Sequence, residues 1–86
     1  MQMGKVIGRI VATRKDERLV GSKLMLVQPI DPAGTLKGDP IVAVDTVGAG
    51  TGEQVIYVSG SMAGRAVATD GAPVDAAIVG IIDSIE

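Results

Sequence analysis

Three strand-length runs of this chain, residues 5–12, 23–30 and 76–85, carry aliphatic side chains on both faces, and this constrains the fold more than any other feature. Successive side chains of an extended strand point to opposite faces. In the first run Val6, Gly8, Ile10 and Ala12 would share one face, and Ile7, Arg9 and Val11 the other. In the second, Leu24 and Leu26 stand opposite Met25 and Val27. In the last, Ile78 and Ile82 flank Gly80 on one face, opposite Val79, Ile81 and Ile85. A strand half exposed to water would keep one polar face, so something covers the outer face here as well as the inner one.

The choice of cover narrows with composition. A chain of 86 residues makes one domain, spanning residues 1–86, and small domains bury a smaller fraction of their surface than large ones. With no cysteine and no histidine, disulfides and the usual transition-metal sites are closed off, so neither a metal nor a cofactor is expected. An apolar fraction of 47% is more than a lone domain of this size hides, and the excess points to a subunit interface. Tyr57 is the only aromatic residue, leaving a core of valine and isoleucine, which favour pleated structure. A net charge of −2 argues against general nucleic-acid binding, which needs a basic footprint, and one tyrosine makes no stacking platform for bases. The sequence has no signal-peptide pattern at its start and no apolar run near the roughly 20 residues that span a bilayer. The expectation is a soluble cytoplasmic protein with neither a nucleic-acid nor a membrane partner.

Between the apolar runs the chain reads as connections. Residues 13–21 mix both charge signs in a solvated loop, and residues 31–40 hold two Asp-Pro pairs and two glycines, a density of turn residues that marks a connection. Residues 41–47 and 54–59 read as the third and fourth strands, and their short spacing predicts an antiparallel hairpin. Ser61 is placed to cap a short helix running to Ala68, favoured by Ala63, Ala66 and Ala68 and weakened by Gly64. A turn over residues 70–73, from Asp70 to Pro73, precedes the last strand. The expected fold is all-β: a small five-stranded closed barrel of the oligonucleotide-binding type, with one short helix before the last strand. Closure removes exposed strand edges.

The third and fourth strands bracket the block Gly48, Ala49, Gly50, Thr51, Gly52, Glu53. Its backbone is nearly bare and free to adopt positive φ, so a phosphate, a nucleic acid or another chain could approach it closely. A Walker-type loop needs Gly-Lys-Ser/Thr, and Glu53 stands where a dinucleotide fingerprint has its last glycine. A strand follows the block instead of the helix whose N-terminus would hold an anion. An anion- or small-ligand-binding barrel using the loop Gly48–Gly52 stays as the alternative reading. Asp39, Asp45, Glu53, Asp70 and Asp75 show no spacing for acid–base chemistry, and Ser59 and Ser61 lack a histidine base, so no enzymatic activity is expected. These carboxylates read as turn residues or as surface partners of Lys5, Arg9 or Arg65.

Several blocks together carry a resemblance to a known family. They are Gly4-Lys5-Val6-Ile7-Gly8, Lys23-Leu24-Met25-Leu26-Val27, Val44-Asp45-Thr46-Val47 followed by the glycine block to Glu53, Val58-Ser59-Gly60-Ser61 and Pro73-Val74-Asp75. The chain resembles the vertex proteins of bacterial microcompartment shells, the pentamers of carboxysomes and of ethanolamine or propanediol compartments. The match spans nearly the whole chain in the family's order. It departs where the family often has Ser-Ser-Ala-Arg and this chain has Ser61-Met62-Ala63-Gly64-Arg65; many members also extend past the last strand. The resemblance implies a cyclic homopentamer at the corners of a polyhedral shell otherwise built from hexameric and pseudohexameric tiles, with a geometric task and no cofactor. It also implies that Gly48, Ala49, Gly50, Thr51, Gly52, Glu53 and Arg65 lie at a subunit interface or near the five-fold axis.

Overall fold

The computed structural model describes residues 1–67 and 71–86. Its strands are β1 (Gln2–Ile10), β2 (Lys23–Pro29), β3 (Ile41–Asp45), β4 (Gln54–Ser59) and β5 (Ala76–Ile81). They form a closed barrel in the order β1-β2-β3-β5-β4, as the sequence predicts for the fold class. The predicted hairpin of the third and fourth strands does not form. β5 lies between them, parallel to β3 and antiparallel to β4. β4 takes β1 as its other neighbour, so residues 46–53 must cross one end of the barrel rather than turn back on β3.

Two bulges account for part of the two-faced apolar pattern, in β1 and β5. In β1, Val6 pairs with Val27 but Gly8 pairs with Leu26, so Ile7 is the extra residue. An extra residue on one strand shifts every later side chain to the other face. Val6 therefore points inward with Val27, while Gly8 and Ile10 share the outer face with Leu26 and Leu24. The single face expected for Val6, Gly8, Ile10 and Ala12 is thus broken at Ile7. β5 repeats the device: Tyr57 of β4 pairs with Ile78 and Ile56 with Gly80, leaving Val79 extra. Ile78 and Ile81 both face the interior as a result, although the sequence spacing puts them on opposite faces.

The interior is filled by Val6, Met25, Val27, Ala43, Ala49, Val55, Tyr57, Ala76 and Ile78, with Ile41 and Ile81 packed against them. Tyr57 is the largest fully buried side chain. Its ring occupies the space beside Gly4, where an added Cβ would meet the Val27 side chain, Tyr57 Cε1 at 3.1 Å and the Gln28 carbonyl at 3.2 Å. A glycine is needed there for close approach rather than for an unusual φ.

The predicted helix is a 3-10 helix, η2 (Gly60–Ala66), preceded by Ser59, whose side chain makes no capping bond. Ser61 therefore does not cap it; the glycine at its first position, with φ +77°, and Gly64 within it leave too little helix propensity for an α-helix. The expected end of the helix at Ala68 and the start of the following turn at Asp70 lie outside the described residues. η2 packs on β5 and β4, and Ala63 is fully buried. A second 3-10 helix, η1 (Glu17–Leu19), sits in the loop between β1 and β2. The first and last strands also differ in length from expectation. β1 starts earlier, at Gln2, and β5 stops at Ile81. Beyond it the Ile82 N–H donates to the Gln54 carbonyl at 2.8 Å, where β4 begins and the ladder runs out.

Candidate functional site: the glycine loop and the two barrel ends

The glycine block closes the end of the barrel at which β1, β3 and β5 finish, called the upper end below. Residues 46–53 leave β3, cross over this end and join β4. Thr46 fixes the departure, its N–H and Oγ1 donating to the Ile78 carbonyl at 3.3 Å and 2.7 Å. The Val47 N–H donates to Asp45 Oδ1 at 3.0 Å. Ala49 then drops into the barrel and is fully buried among the core residues. At the far side the Gly52 N–H donates to the Val6 carbonyl at 2.8 Å, and the Val6 N–H to the Glu53 carbonyl at 2.9 Å. The loop thereby continues the β1–β4 pairing.

Lys23, the first residue of β2, holds the middle of the crossing. Its Nζ donates to the Ala49 carbonyl at 2.7 Å and lies 3.4 Å from Asp45 Oδ2, whose side chain is 1% exposed. The Glu53 carboxylate does the same for the outer turn, Oε1 accepting from the Gly50 N–H at 2.7 Å. The Glu53 N–H returns a bond to the Gly50 carbonyl at 3.1 Å. Gly48 and Gly52 have φ of +81° and +94°, conformations that L side chains rarely adopt. The bareness of the loop therefore serves its path within one chain: two reversals, and a methyl group just small enough to plug the barrel.

Of the residues singled out from the sequence, Gly48 to Glu53 are brought together in this cap. Gly48, Thr51, Gly52 and Glu53 are exposed on its outer edge. Arg65 is not part of the cluster. It lies exposed on η2 and forms no hydrogen bond or ion pair with Glu53 among the described residues. Sequence reasoning missed Lys23 as a member, and treated Asp45 as a turn carboxylate or a surface partner of Lys5, Arg9 or Arg65. The available signal was a lone cation opening an apolar strand and a lone anion closing another, which the antiparallel β2–β3 register makes direct partners.

Beside the cap, the loop between β1 and β2 is tied down by Arg18. Its guanidinium grips Asp16 through Nε at 3.0 Å and Nη2 at 2.8 Å, and Nη1 donates to the Gly71 carbonyl at 2.8 Å. These bonds hold the Asp16 carboxyl down to about 2, and the same pairing raises Arg18.

A concavity lies at the lower rim of the barrel. Met1, Met3, Pro29, Ile30, Ile41, Ile56 and Tyr57 wall a cavity of about 740 Å³, with Asp31, Lys37 and Ser59 at its polar margin. A second concavity of about 490 Å³ shares Ile41 and Ser59 with it and extends past Val42 toward Gly60 and Asp75. Burial pushes the Tyr57 phenol up.

Comparison with known proteins covers nearly the whole chain. Residues 1–83 match the family described as ethanolamine utilisation protein EutN/carboxysome. The chain is 44% identical over 85 residues to the bacterial microcompartment shell vertex protein EutN of Escherichia coli K12, covering 99% of this chain and 90% of that one. The solved GrpN pentameric microcompartment shell protein from Rhodospirillum rubrum superposes with a TM-score of 0.90 at 45% identity, covering 100% of this chain and 98% of that one. CcmL of Gloeobacter violaceus gives a TM-score of 0.91 at 42% identity, over 100% and 89% of the respective chains.

Proposed function

Given that this chain belongs to the EutN/CcmL family, we propose that it is a structural shell subunit, a homopentamer that occupies the vertices of a bacterial microcompartment in the cytoplasm. The observation that carries the reading is the end-to-end likeness to a pentameric shell protein, at 45% identity and a TM-score of 0.90. A head-to-tail interface closes into a ring when its rotation suits the subunit number. A five-fold ring set among hexameric and pseudohexameric tiles forces the layer to curve, and so closes the shell. That task is geometric, not catalytic.

The exposed edge of the cap, Gly48, Thr51, Gly52 and Glu53, is our candidate for a contact near the five-fold axis or at the subunit interface, with Arg65 as a polar anchor. Its support is the rigidity of the cap, since a loop already fixed by Lys23, Val6 and its own Glu53 loses little freedom on assembly. The same bonds argue against the alternative of an anion site. The amides of Gly50 and Gly52 are engaged, and an incoming anion would meet the Glu53 carboxylate.

Light scattering on the purified chain should give five times the 8.7 kDa subunit mass, and shells assembled without this chain should stay open at their corners. A monomeric or dimeric mass together with closed shells would overturn the reading. Thr51→Trp leaves the chain's own packing alone, because Thr51 is exposed. If that variant assembles as the wild type does, the cap is not at the interface.

A further inference from the structure

We propose that the upper rim of the barrel carries a site for one phosphate-sized oxyanion, formed by Arg9, Lys15, Ser22 and Lys23 and separate from the backbone of the glycine loop. These four residues line a concavity of about 130 Å³ where β1 ends and β2 begins. At about 30 Å³ for each water of the liquid, that is room for a small tetrahedral ion with a water or two.

The first observation is charge. The chain has ten acidic and eight basic residues, yet this concavity is lined by three of the basic ones and by no carboxylate. Neither ion pair among the described residues involves Arg9 or Lys15. The carboxylate paired with Lys23, that of Asp45, is almost wholly buried; one of its oxygens accepts from the Val47 N–H and the other faces the lysine. It offsets one of the three positive charges and leaves two.

The second observation is the way the fold gathers these cations. Arg9 pairs with Met25 across the β1–β2 ladder, and Lys23, two residues before Met25, is its diagonal neighbour on the same face. The connection leaving β1 turns back on itself, with Lys15 Nζ donating to the Ala12 carbonyl at 3.0 Å. Ser22 re-enters beside Lys23, its N–H donating to the Leu19 carbonyl at 2.9 Å. Of its three ammonium hydrogens Lys23 uses two, on the Ala49 carbonyl and on Asp45, and Lys15 uses one, on Ala12. The donors that remain, with the Arg9 guanidinium and the Ser22 hydroxyl, suit the oxygens of a phosphate, which accept charge-assisted bonds from several directions. A concavity this small takes a single such group rather than a length of nucleic-acid backbone.

NMR on the assembled full chain tests this, with sodium phosphate replacing sodium chloride at constant ionic strength and neutral pH. The amide shifts of residues 9–15 and 22–24 should move saturably. Arg9→Gln and Lys15→Gln, both at exposed positions, should each raise the dissociation constant about tenfold, the effect of losing one charge-assisted bond. Phenyl phosphate in place of inorganic phosphate separates the sources. Saturable shifts with both assign the site to the phosphate group of a larger molecule, and shifts with inorganic phosphate alone assign it to the free ion. Shifts that grow linearly with phosphate, or that are the same in the wild type and both variants, mean general screening by the ion, and the site does not exist. The result is independent of the pentamer reading, since the site needs no residue from a neighbouring copy.

Discussion

The ammonium of Lys23 sits 3.4 Å from the carboxylate of Asp45, and of the two side chains only the lysine reaches solvent, 37% exposed against 1%. An ion pair so placed ties two strands and a loop together, because the same Nζ carries the Ala49 carbonyl. Removing one partner of a buried pair costs far more than the pair contributes, since it strands a charge.

Lys23→Met should therefore lower stability by about 2–3 kcal/mol, toward the low end for a buried pair because the cation is partly solvated. Adding Asp45→Asn should restore part of the loss. Urea denaturation of the two variants and of Asp45→Asn alone completes the cycle. A double mutant as unstable as the sum of the singles would mean the two side chains are uncoupled.

Ala49 is fully buried in the core cluster. Ala49→Leu should overpack the upper end and cost about 1–3 kcal/mol. The measurement is the urea midpoint at constant slope; an unchanged midpoint would mean that the cap can lift off the barrel at no cost.

Gly4 and Gly8 lie on the same strand and should respond oppositely. An added methyl at Gly4 collides with Val27, Tyr57 and the Gln28 carbonyl, whereas nothing lies within 4 Å of one at Gly8. Gly4→Ala should destabilise by about 1–3 kcal/mol, and Gly8→Ala should be neutral or slightly stabilising within the isolated subunit. Thermal melts of both variants decide it.

The Asp16 carboxyl is held at about 2, below its ordinary 3.8, first by its side-chain hydrogen bond to Arg18. A depressed folded value means that the pair's contribution is present above the unfolded value and is lost as pH falls through the folded one. The window is thus roughly pH 4 down to 2. Carboxyl chemical shifts followed by NMR should titrate near 2 in the wild type and near the ordinary value in Arg18→Ala.

The barrel and its strands were legible in the sequence because aliphatic runs and turn clusters alternate along it. Strand pairing was not. A short Gly-rich spacer is the usual mark of a hairpin, and nothing in residues 41–59 alone reveals that Ile78 will accept from Thr46. The bulges at Ile7 and Val79 were hidden for a related reason: a one-residue slip looks like an apolar outer face until the partner strand is known. For the candidate site, the glycine block was found, but the groups of its own chain that hold it were not. Bare backbone signals close approach without saying whether the approaching group belongs to the same chain, and Lys23 and Ala49 supply that group here.

The position of β5 between β3 and β4 also sets the order of events when the chain is made. β1, β2 and β3 can pair in sequence as they emerge and β4 can join β1, but β3 and β4 share no hydrogen-bonded edge, so the remaining edge of each must wait for residues 76–81. Until those leave the ribosome, two strand edges stand open in a nascent chain rich in valine and isoleucine, the situation most prone to pairing with the wrong neighbour. Closure then depends on contacts distant in sequence, which places folding toward the slow end for small domains.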